Sequence, residues 1–411
     1  MLDKLITIDE ARARVLAEAK PLPAEKLSLT EVLGRALAET IVAPHAVPPF
    51  DNSGMDGYAV RTIDLLGASG EHPVRLRVVE TIPAGHMPAR EVRAGEAARI
   101  MTGAPIPAGA DAVVQVEHTE ETDGEVLVFE SVRPGKNVRR AGDDVRAGER
   151  VLAAGTVLGP AEIGVLASLG FPQVRVHKRP RVAVISTGSE LVEVDQPLRP
   201  GQIRNSNSYT LRALCQQLGI EATVFGIVPD DYEATRTAIA AGLEYDVLLT
   251  SGGVSVGRYD FVKEVEEALG VERRLWGVAM KPGKPLAFGV RGDTLVFGLP
   301  GNPVSAMVSF ELFVKPALLR LMGYPKVTPP LYHAIIEEDI KSSDDRVHVV
   351  RVRAWREDES WHVTSTGDQG SGILRSMVGA NGLAFIPGGP RGVRAGEQVE
   401  FLLLREDLQE P

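Results

Sequence analysis

From Arg181 to Leu321 the sequence repeats one pattern: a short β-branched and aliphatic run, a polar loop, then an amphipathic stretch. Arg181-Val182-Ala183-Val184-Ile185 reads as a buried strand, followed by a polar loop and a helix over about 208–218. Residues 222–228 and 246–250 are further strands, each leading to a helix, over about 232–241 and 261–269. Two more strands, at about 286–290 and 295–297, precede a helix over about 304–321. A parallel crossover must return along the face of the sheet. The alternation therefore predicts a mostly parallel, doubly wound α/β domain covered on both faces.

The chain has 411 residues, more than one core usually serves, so several domains are expected. Thr7-Ile8-Asp9-Glu10 fits a capping box, and a helix should run from it to about Lys20, ended by Pro21 and Pro23. A second helical stretch is expected over about 29–40, and helical signals resume at Pro160 to Leu166. Between them, Gly, Pro and short alternating runs such as Val74-Arg75-Leu76-Arg77-Val78 predict a β-rich region, with Asp123-Gly124 as a hairpin turn. Beyond Pro325 the runs 347–353 and 401–404 look like strands of a small all-β C-terminal domain.

Charge and chemistry narrow the function. A net charge of −10 argues against a duplex nucleic-acid binder, which needs a basic face. Any anionic substrate must be drawn in by local cations and helix N-termini. The one cysteine, Cys215, sits among Leu211, Leu214 and Leu218 at helical spacing and reads as a buried thiol; no internal disulfide or thiolate metal site is possible. The eight histidines are scattered, none within four residues of another, which disfavours a histidine metal site or a Ser-His-Asp hydrolase. A Walker loop, a Gly-x-Gly-x-x-Gly after the first α/β strand and a His-Glu-x-x-His string are all absent. The N-terminal residues lack the basic start and apolar run of a leader, and no stretch approaches the length of a membrane span. The expectation is a cytoplasmic protein without membrane attachment.

In an open parallel sheet, ligands bind beyond the carboxyl ends of the strands, where loops enter helix N-termini. The residues placed there are Ser186-Thr187-Gly188-Ser189-Glu190, Pro229-Asp230-Asp231, Ser251 to Gly257 with Asp260, and Leu299 to Ser305. Gly252 and Gly253 permit close backbone approach, and Ser251 and Ser255 add hydroxyl donors, a set suited to an oxyanion. Each loop has a plainer reading: a tight turn for Gly252-Gly253, or a stiff helix entry for Pro300-Gly301-Asn302-Pro303. Lys281-Pro282-Gly283-Lys284-Pro285 precedes a strand, so it joins this rim only if that strand is antiparallel. Glu190, Asp230, Asp231 and Asp260 together, beside Lys281 and Lys284, form the combination expected of a magnesium–phosphate site.

Two more strings stand out in the β-rich region, Asp51 to Val60 around Met55-Asp56-Gly57-Tyr58, and Arg99 to Pro107 around Met101-Thr102-Gly103-Ala104-Pro105. With 187–191, 251–257, 281–285 and 300–305, they resemble in order the molybdenum-insertion family that includes MoeA, the C-terminal domain of gephyrin and the plant molybdenum-insertion domain. The resemblance implies four regions: a discontinuous helical domain (1–45 and 146–178), an inserted β-rich domain (46–145), an α/β pterin-binding domain (179–325) and a C-terminal β-barrel-like domain (326–411). It also implies a homodimer in which the β-rich region of one subunit faces the α/β domain of the other.

By the same resemblance Asp56, Thr102, Asp144, Glu190, Asp260, Lys281 and Lys284 are catalytic. Ser251, Gly252, Gly253, Ser255, Pro300, Gly301, Asn302, Pro303, Arg351 and Ser371 would bind substrate, the last two near molybdate. Glu190, Asp260 and either Asp230 or Asp231 would hold Mg2+. The family often has a histidine before its Gln-Gly-Ser string, where this chain has Asp368. The implied reaction inserts molybdate into adenylylated molybdopterin and releases AMP, with the pterin supplying the sulfurs and a molybdopterin adenylyltransferase as transient partner. Two rivals are adenylylation of molybdopterin itself, against which the regions flanking the α/β domain count, and a gephyrin-like scaffold without turnover.

Overall fold

The computed structural model describes residues 5–253, 261–342 and 344–405. Its centre is a six-stranded sheet whose strands in chain order are β1 (Val182–Thr187), β2 (Ala222–Val228), β3 (Val247–Ser251), β4 (Glu272–Trp276), β6 (Ala287–Arg291) and β7 (Thr294–Leu299); a two-residue strand, β5 (Met280–Lys281), lies between β4 and β6 in the chain. The spatial order is β2-β1-β3-β7-β6-β4. The first four are mutually parallel and β6 runs antiparallel to both neighbours.

Side chains alternate across a strand, and β1 shows the result. Val182 and Val184 join one core with Leu211, Leu214 and Cys215 of α1 (Asn207–Gln217). Ala183 and Ile185 join another with Ile239 of α2 (Tyr232–Gly242) and Val265 of α3 (Val262–Ala268). Both faces are thus covered, as the continuous apolar runs require. Strand β4 was not foreseen: its pattern of exposed charges with one buried residue, Leu275, is that of an edge strand.

The N-terminal helix, Ile8–Glu18, begins with the expected capping box of Thr7 and Glu10. Its buried face, Ile8, Ala11 and Val15, packs into the α/β core. The helix expected over 29–40 does not form. Gly34 and Leu37 donate their backbone N–H groups to Leu158 and Thr156, and Ala38 donates to Arg175. The donors a helix would use internally are spent on residues far along the chain, and long-range pairing overrides local propensity. Short ladders join Ala24–Ser28 to Gln173–His177 and Ile41–Val42 to Arg150–Leu152. Val32, Leu37 and Ile41 share one core with Leu158, Leu166 and Val176. The helical character expected of this region therefore reduces to Ile8–Glu18 and Pro160–Ser168.

The β-rich region holds a six-stranded sheet in the order Ala112–Gln115, Gly57–Val60, Glu96–Ile100, Val74–Ile82, Glu125–Val128, Thr119–Thr122. Asp123 and Gly124, at φ 53° and 80°, make the foreseen hairpin turn. At the C-terminus, β8 (Leu331–Ile336), β9 (Val347–Glu357), β10 (Ser360–Ser365), β11 (Gly382–Ile386) and β12 (Gln398–Leu403) close in the order β9-β10-β8-β12-β11 and back to β9. The result is a small barrel around Val352, Val363, Ala384 and Phe401. No described helix is long and apolar enough to cross a membrane.

One side-chain hydrogen bond ties the end of the α/β domain to the first region: Tyr324 donates its hydroxyl to the Gly34 carbonyl at 2.6 Å. Tyr324→Phe should lower stability by about 1 kcal/mol, since the carbonyl loses its partner. The urea midpoint followed by circular dichroism reads the change; an unchanged midpoint would show that the bond contributes nothing net.

Candidate functional site

The chain leaves β1 for β2 on one side and returns to β3 on the other, so the carboxyl ends of β1 and β3 flank a topological switch point. A cleft of about 810 Å³ opens there, lined by Thr187, Gly188, Glu190, Asp230, Ser251, Gly252, Gly253 and the segment Pro300 to Pro303. Gly252 donates to the Leu299 carbonyl at 3.2 Å, tying the β3 turn to the end of β7. Gly252 and Gly253 stand at φ +91° and +67°; a Cβ would meet Thr187 O at 2.6 Å and Val262 Cγ2 at 2.3 Å, respectively. Glycine is required at both by conformation and by space.

The floor of the cleft is polar and cross-linked. Buried Ser186 donates its hydroxyl to Asn205 Oδ1 at 3.1 Å, and Asn205 Nδ2 donates to Ser208 Oγ at 3.0 Å. Asn207 donates through Nδ2 to Ser251 Oγ at 2.7 Å and to the Gly301 carbonyl at 2.8 Å. The Thr187 hydroxyl is buried without a partner among the described residues. Asn205 and Asn207 escaped the reading of the sequence, although the alternating Asn205-Ser206-Asn207-Ser208 string at a helix start carried the signal.

Of the acids expected to share a metal, Glu190 and Asp230 line the cleft. Asp230 and Ser189 hold each other: Asp230 Oδ2 accepts from Ser189 N at 3.0 Å, and Asp230 N donates to Ser189 Oγ at 3.2 Å. Asp231 instead caps α2, accepting from Ala234 N at 2.9 Å, and does not line the cleft. Ser255 and Asp260 lie outside the described residues. Among the described residues no three His, Cys, Asp or Glu side chains gather as a metal cluster. A magnesium ion needs only one or two protein carboxylates when substrate phosphates supply the rest, and Glu190 and Asp230 are the two described acids that line this cleft.

The antiparallel course of β6 brings the lysine loop to this same rim. Lys281 and Lys284 line a second cleft of about 720 Å³, together with Lys341, Arg346, His348, Arg351 and Ser371. Pro285, Pro300 and Asn302 border both clefts. Asn302 Nδ2 donates to Ser371 Oγ at 2.9 Å and Val304 N donates to the Ser371 carbonyl at 3.2 Å, joining barrel to rim. Arg351 is 1% exposed and donates to Ser376 Oγ at 3.1 Å and to the Gly370 carbonyl at 3.2 Å. Burial pulls its pKa down to about 10, against the opposing pull of Asp368, so the guanidinium remains charged at neutral pH. Lys341, Arg346 and His348 reach this cleft through tertiary structure alone; nothing in their sequence neighbourhood marked them.

Asp56, Thr102 and Asp144 line neither cleft. Asp56 Oδ1 accepts both the backbone N–H of Thr102 at 2.7 Å and its hydroxyl at 2.8 Å, which holds the carboxyl below its usual range. Asp144 borders a separate concavity of about 680 Å³ formed by residues 141–144 and 146–149.

Fold and clefts define a multidomain α/β protein with two adjoining clefts, one at the carboxyl end of its central sheet and one between that rim and a C-terminal barrel. Residues 6–170 match the model of the MoeA N-terminal region (domains I and II), 183–320 that of a probable molybdopterin binding domain, and 333–404 that of the MoeA C-terminal region (domain IV). A molybdopterin molybdenumtransferase of Staphylococcus aureus is 37% identical over 406 residues, 98% of this chain and 97% of that protein. The Staphylococcus epidermidis relative of the same name is 36% identical over 399 residues, 97% of this chain and 95% of that protein. The crystal structure of a molybdopterin biosynthesis MoeA protein from Pyrococcus horikoshii superposes with a TM-score of 0.83 at 35% identity, covering 98% of this chain and 100% of that one. The chain belongs to the MoeA family and is a transferase of molybdenum cofactor biosynthesis.

His348 offers a test of the second cleft. Its ring is held below its ordinary 6.5, by desolvation first, with Lys281 and Arg346 acting in the same direction and Asp344 opposing. The folded protein should therefore keep His348 neutral at pH 7. The unfolded chain protonates it more readily, so the group costs stability as pH falls through about 6.5 towards its depressed value. An NMR titration of the ring should give a midpoint below 6.5; one at or above 6.5 would show the cleft less desolvated than its packing implies.

Proposed function

We propose that this chain inserts molybdate into the dithiolene of adenylylated molybdopterin and releases AMP. The observation that carries the reading is the shared border of the two clefts. One presents Ser and Gly loops with two carboxylates, the other five cationic side chains, and Pro285, Pro300 and Asn302 belong to both. A ligand with a pyrophosphate between two heterocycles would lie along the first, and a tetrahedral oxyanion would enter the second.

Within this reading, Gly252, Gly253, Ser251 and the Pro300 to Pro303 segment admit the phosphates by close backbone approach. Lys281 and Lys284 stabilise the charge that grows on phosphate oxygens as the bond to AMP breaks. Buried Arg351, with Ser371 nearby, fixes the molybdate. Glu190 and Asp230, joined by Asp260, are the acids that would hold Mg2+, which when bound supplies charge neutralisation at phosphate oxygens. The pterin brings its own sulfurs, which agrees with Cys215 being buried and its thiol pushed up to about 12. Water is the nucleophile at phosphorus.

A homodimer accounts for Asp56, Thr102 and Asp144, which line neither cleft of their own chain: the β-rich region of a second subunit would bring them to the α/β domain. The reading extends to the division into domains at 45, 145, 178 and 325, to a cytoplasmic location, and to transient contact with the adenylyltransferase that supplies the substrate.

The test mixes the protein with adenylylated molybdopterin, magnesium and molybdate, and follows AMP and metal-loaded cofactor together. Both should appear in equal amounts, and Lys284→Ala should slow AMP release by roughly 10²-fold, the usual loss for one charge-stabilising donor. Asp260→Ala should keep pterin binding and lose magnesium-dependent release. AMP release at full rate from both variants would defeat the assignment of this rim as the reacting centre.

A further inference from the structure

The two ends of the Asn207 side-chain amide, in the lining of the cleft, meet different surroundings. Gly301 offers a carbonyl, which only accepts, so the Asn207 atom 2.8 Å from it is the amide nitrogen. That nitrogen also donates to Ser251 Oγ at 2.7 Å, so both of its hydrogens are committed to protein. Flipping the amide would set two oxygens against each other. Oδ1 is left over. It accepts no hydrogen bond from the described residues, it is not among the buried unpartnered atoms, and it belongs to a side chain that lines the larger cleft while only 9% exposed.

We infer that Asn207 Oδ1 is a specificity determinant that accepts a hydrogen bond from the amino group of a heterocyclic ring of the substrate. The inference rests on the reading of the cleft as the site of an adenylylated pterin. Two loops that approach the ligand, one at Ser251 and one at Gly301, fix the orientation of the acceptor before anything binds, so little ordering is left to oppose binding. Behind it, Asn205 holds the first turn of α1 by accepting from Ser208 N at 3.2 Å while donating to Ser208 Oγ at 3.0 Å. A pre-set, single-ended acceptor in a largely buried place discriminates strongly against rings that lack the donor, because an analogue leaves it unpaired. Both halves of the substrate carry such a donor, the 6-amino group of adenine and the 2-amino group of the pterin.

Affinities of AMP, 6-hydroxymethylpterin and inorganic pyrophosphate are measured by calorimetry on wild type, Asn207→Leu and Asn207→Asp. Pyrophosphate has no ring and reports the phosphate cradle, so the readout is the ratio of ring-ligand affinity to pyrophosphate affinity, which cancels a general loosening of the loops. In Asn207→Leu the ratio should fall at least tenfold for one of the two ring ligands, and which one falls identifies the base that meets Oδ1. Asn207→Asp keeps an acceptor oxygen at Oδ1 but sets its other oxygen against the Gly301 carbonyl, so its pyrophosphate affinity should fall while its ring-to-pyrophosphate ratio stays closer to wild type than that of Asn207→Leu. Unchanged ratios in Asn207→Leu overturn the inference. So does an equal fall in Leu and Asp variants, which would make the residue a loop clamp only. Wild-type protein that binds pyrophosphate but neither ring ligand overturns the underlying reading of the cleft as well.

Discussion

The lysine turn between β4 and β6 is held from three directions, and the arrangement of the two clefts depends on it. Gly277 donates to the Leu286 carbonyl at 2.8 Å and Val278 to the Lys284 carbonyl at 3.0 Å, closing the turn on itself. Ala279 donates to the Ile6 carbonyl at 2.8 Å and accepts from Val347 N at 3.0 Å, at the start of barrel strand β9. Met280 and Lys281 then run parallel to Val347 and His348. A backbone donor or acceptor buried without a partner is costly, so the barrel cannot slide along the sheet without breaking this ladder. The cationic cleft is a product of that docking.

The opposite side of the rim is held by small residues and amides. Gly252 and Gly253 let the end of β3 pass close beneath Thr187 and Val262, and Asn207 bridges the two loops that follow β3 and β7. These contacts are short-range and directional, so they set positions more sharply than the apolar packing beneath them does. The apolar packing has a different job: Val182, Val184, Ala183 and Ile185 of β1, fully buried in two separate cores, keep the carboxyl end of the strand fixed relative to α1 and α2. A rigid strand carrying polar loops at its carboxyl end is the usual way an α/β sheet presents a ligand site.

Electrostatics explain how an acidic protein receives anionic substrates. The net charge of −10 repels them at long range, but within the second cleft Lys281, Lys284, Lys341, Arg346 and Arg351 outnumber Asp368. Arg346 is itself neutralised in part by Asp344, at 2.6 Å. Arg351 differs in kind: it is nearly inaccessible, anchored by Ser376 and main-chain carbonyls, and its charge meets only weak solvent screening.

What the chain of residues determined alone was whatever depends on local periodicity and turn chemistry. The α/β strands with their continuous apolar runs, the capping box at Thr7, the Asp123-Gly124 turn and the rim loops of Ser251 and Pro300 were all legible, because each is encoded within a few neighbours. What required tertiary structure was pairing across distance. Residues 29–40 lost their helix to remote carbonyl partners, and the charged edge strand β4 had no pattern of its own. Asp230 and Asp231 are indistinguishable until one is seen to cap α2. The lysine turn could join the rim only if β6 ran antiparallel, and Thr102 could grip Asp56 only once two strands lay side by side. Local sequence specifies which groups are available, whereas closure of long loops over a shared core decides which of them meet.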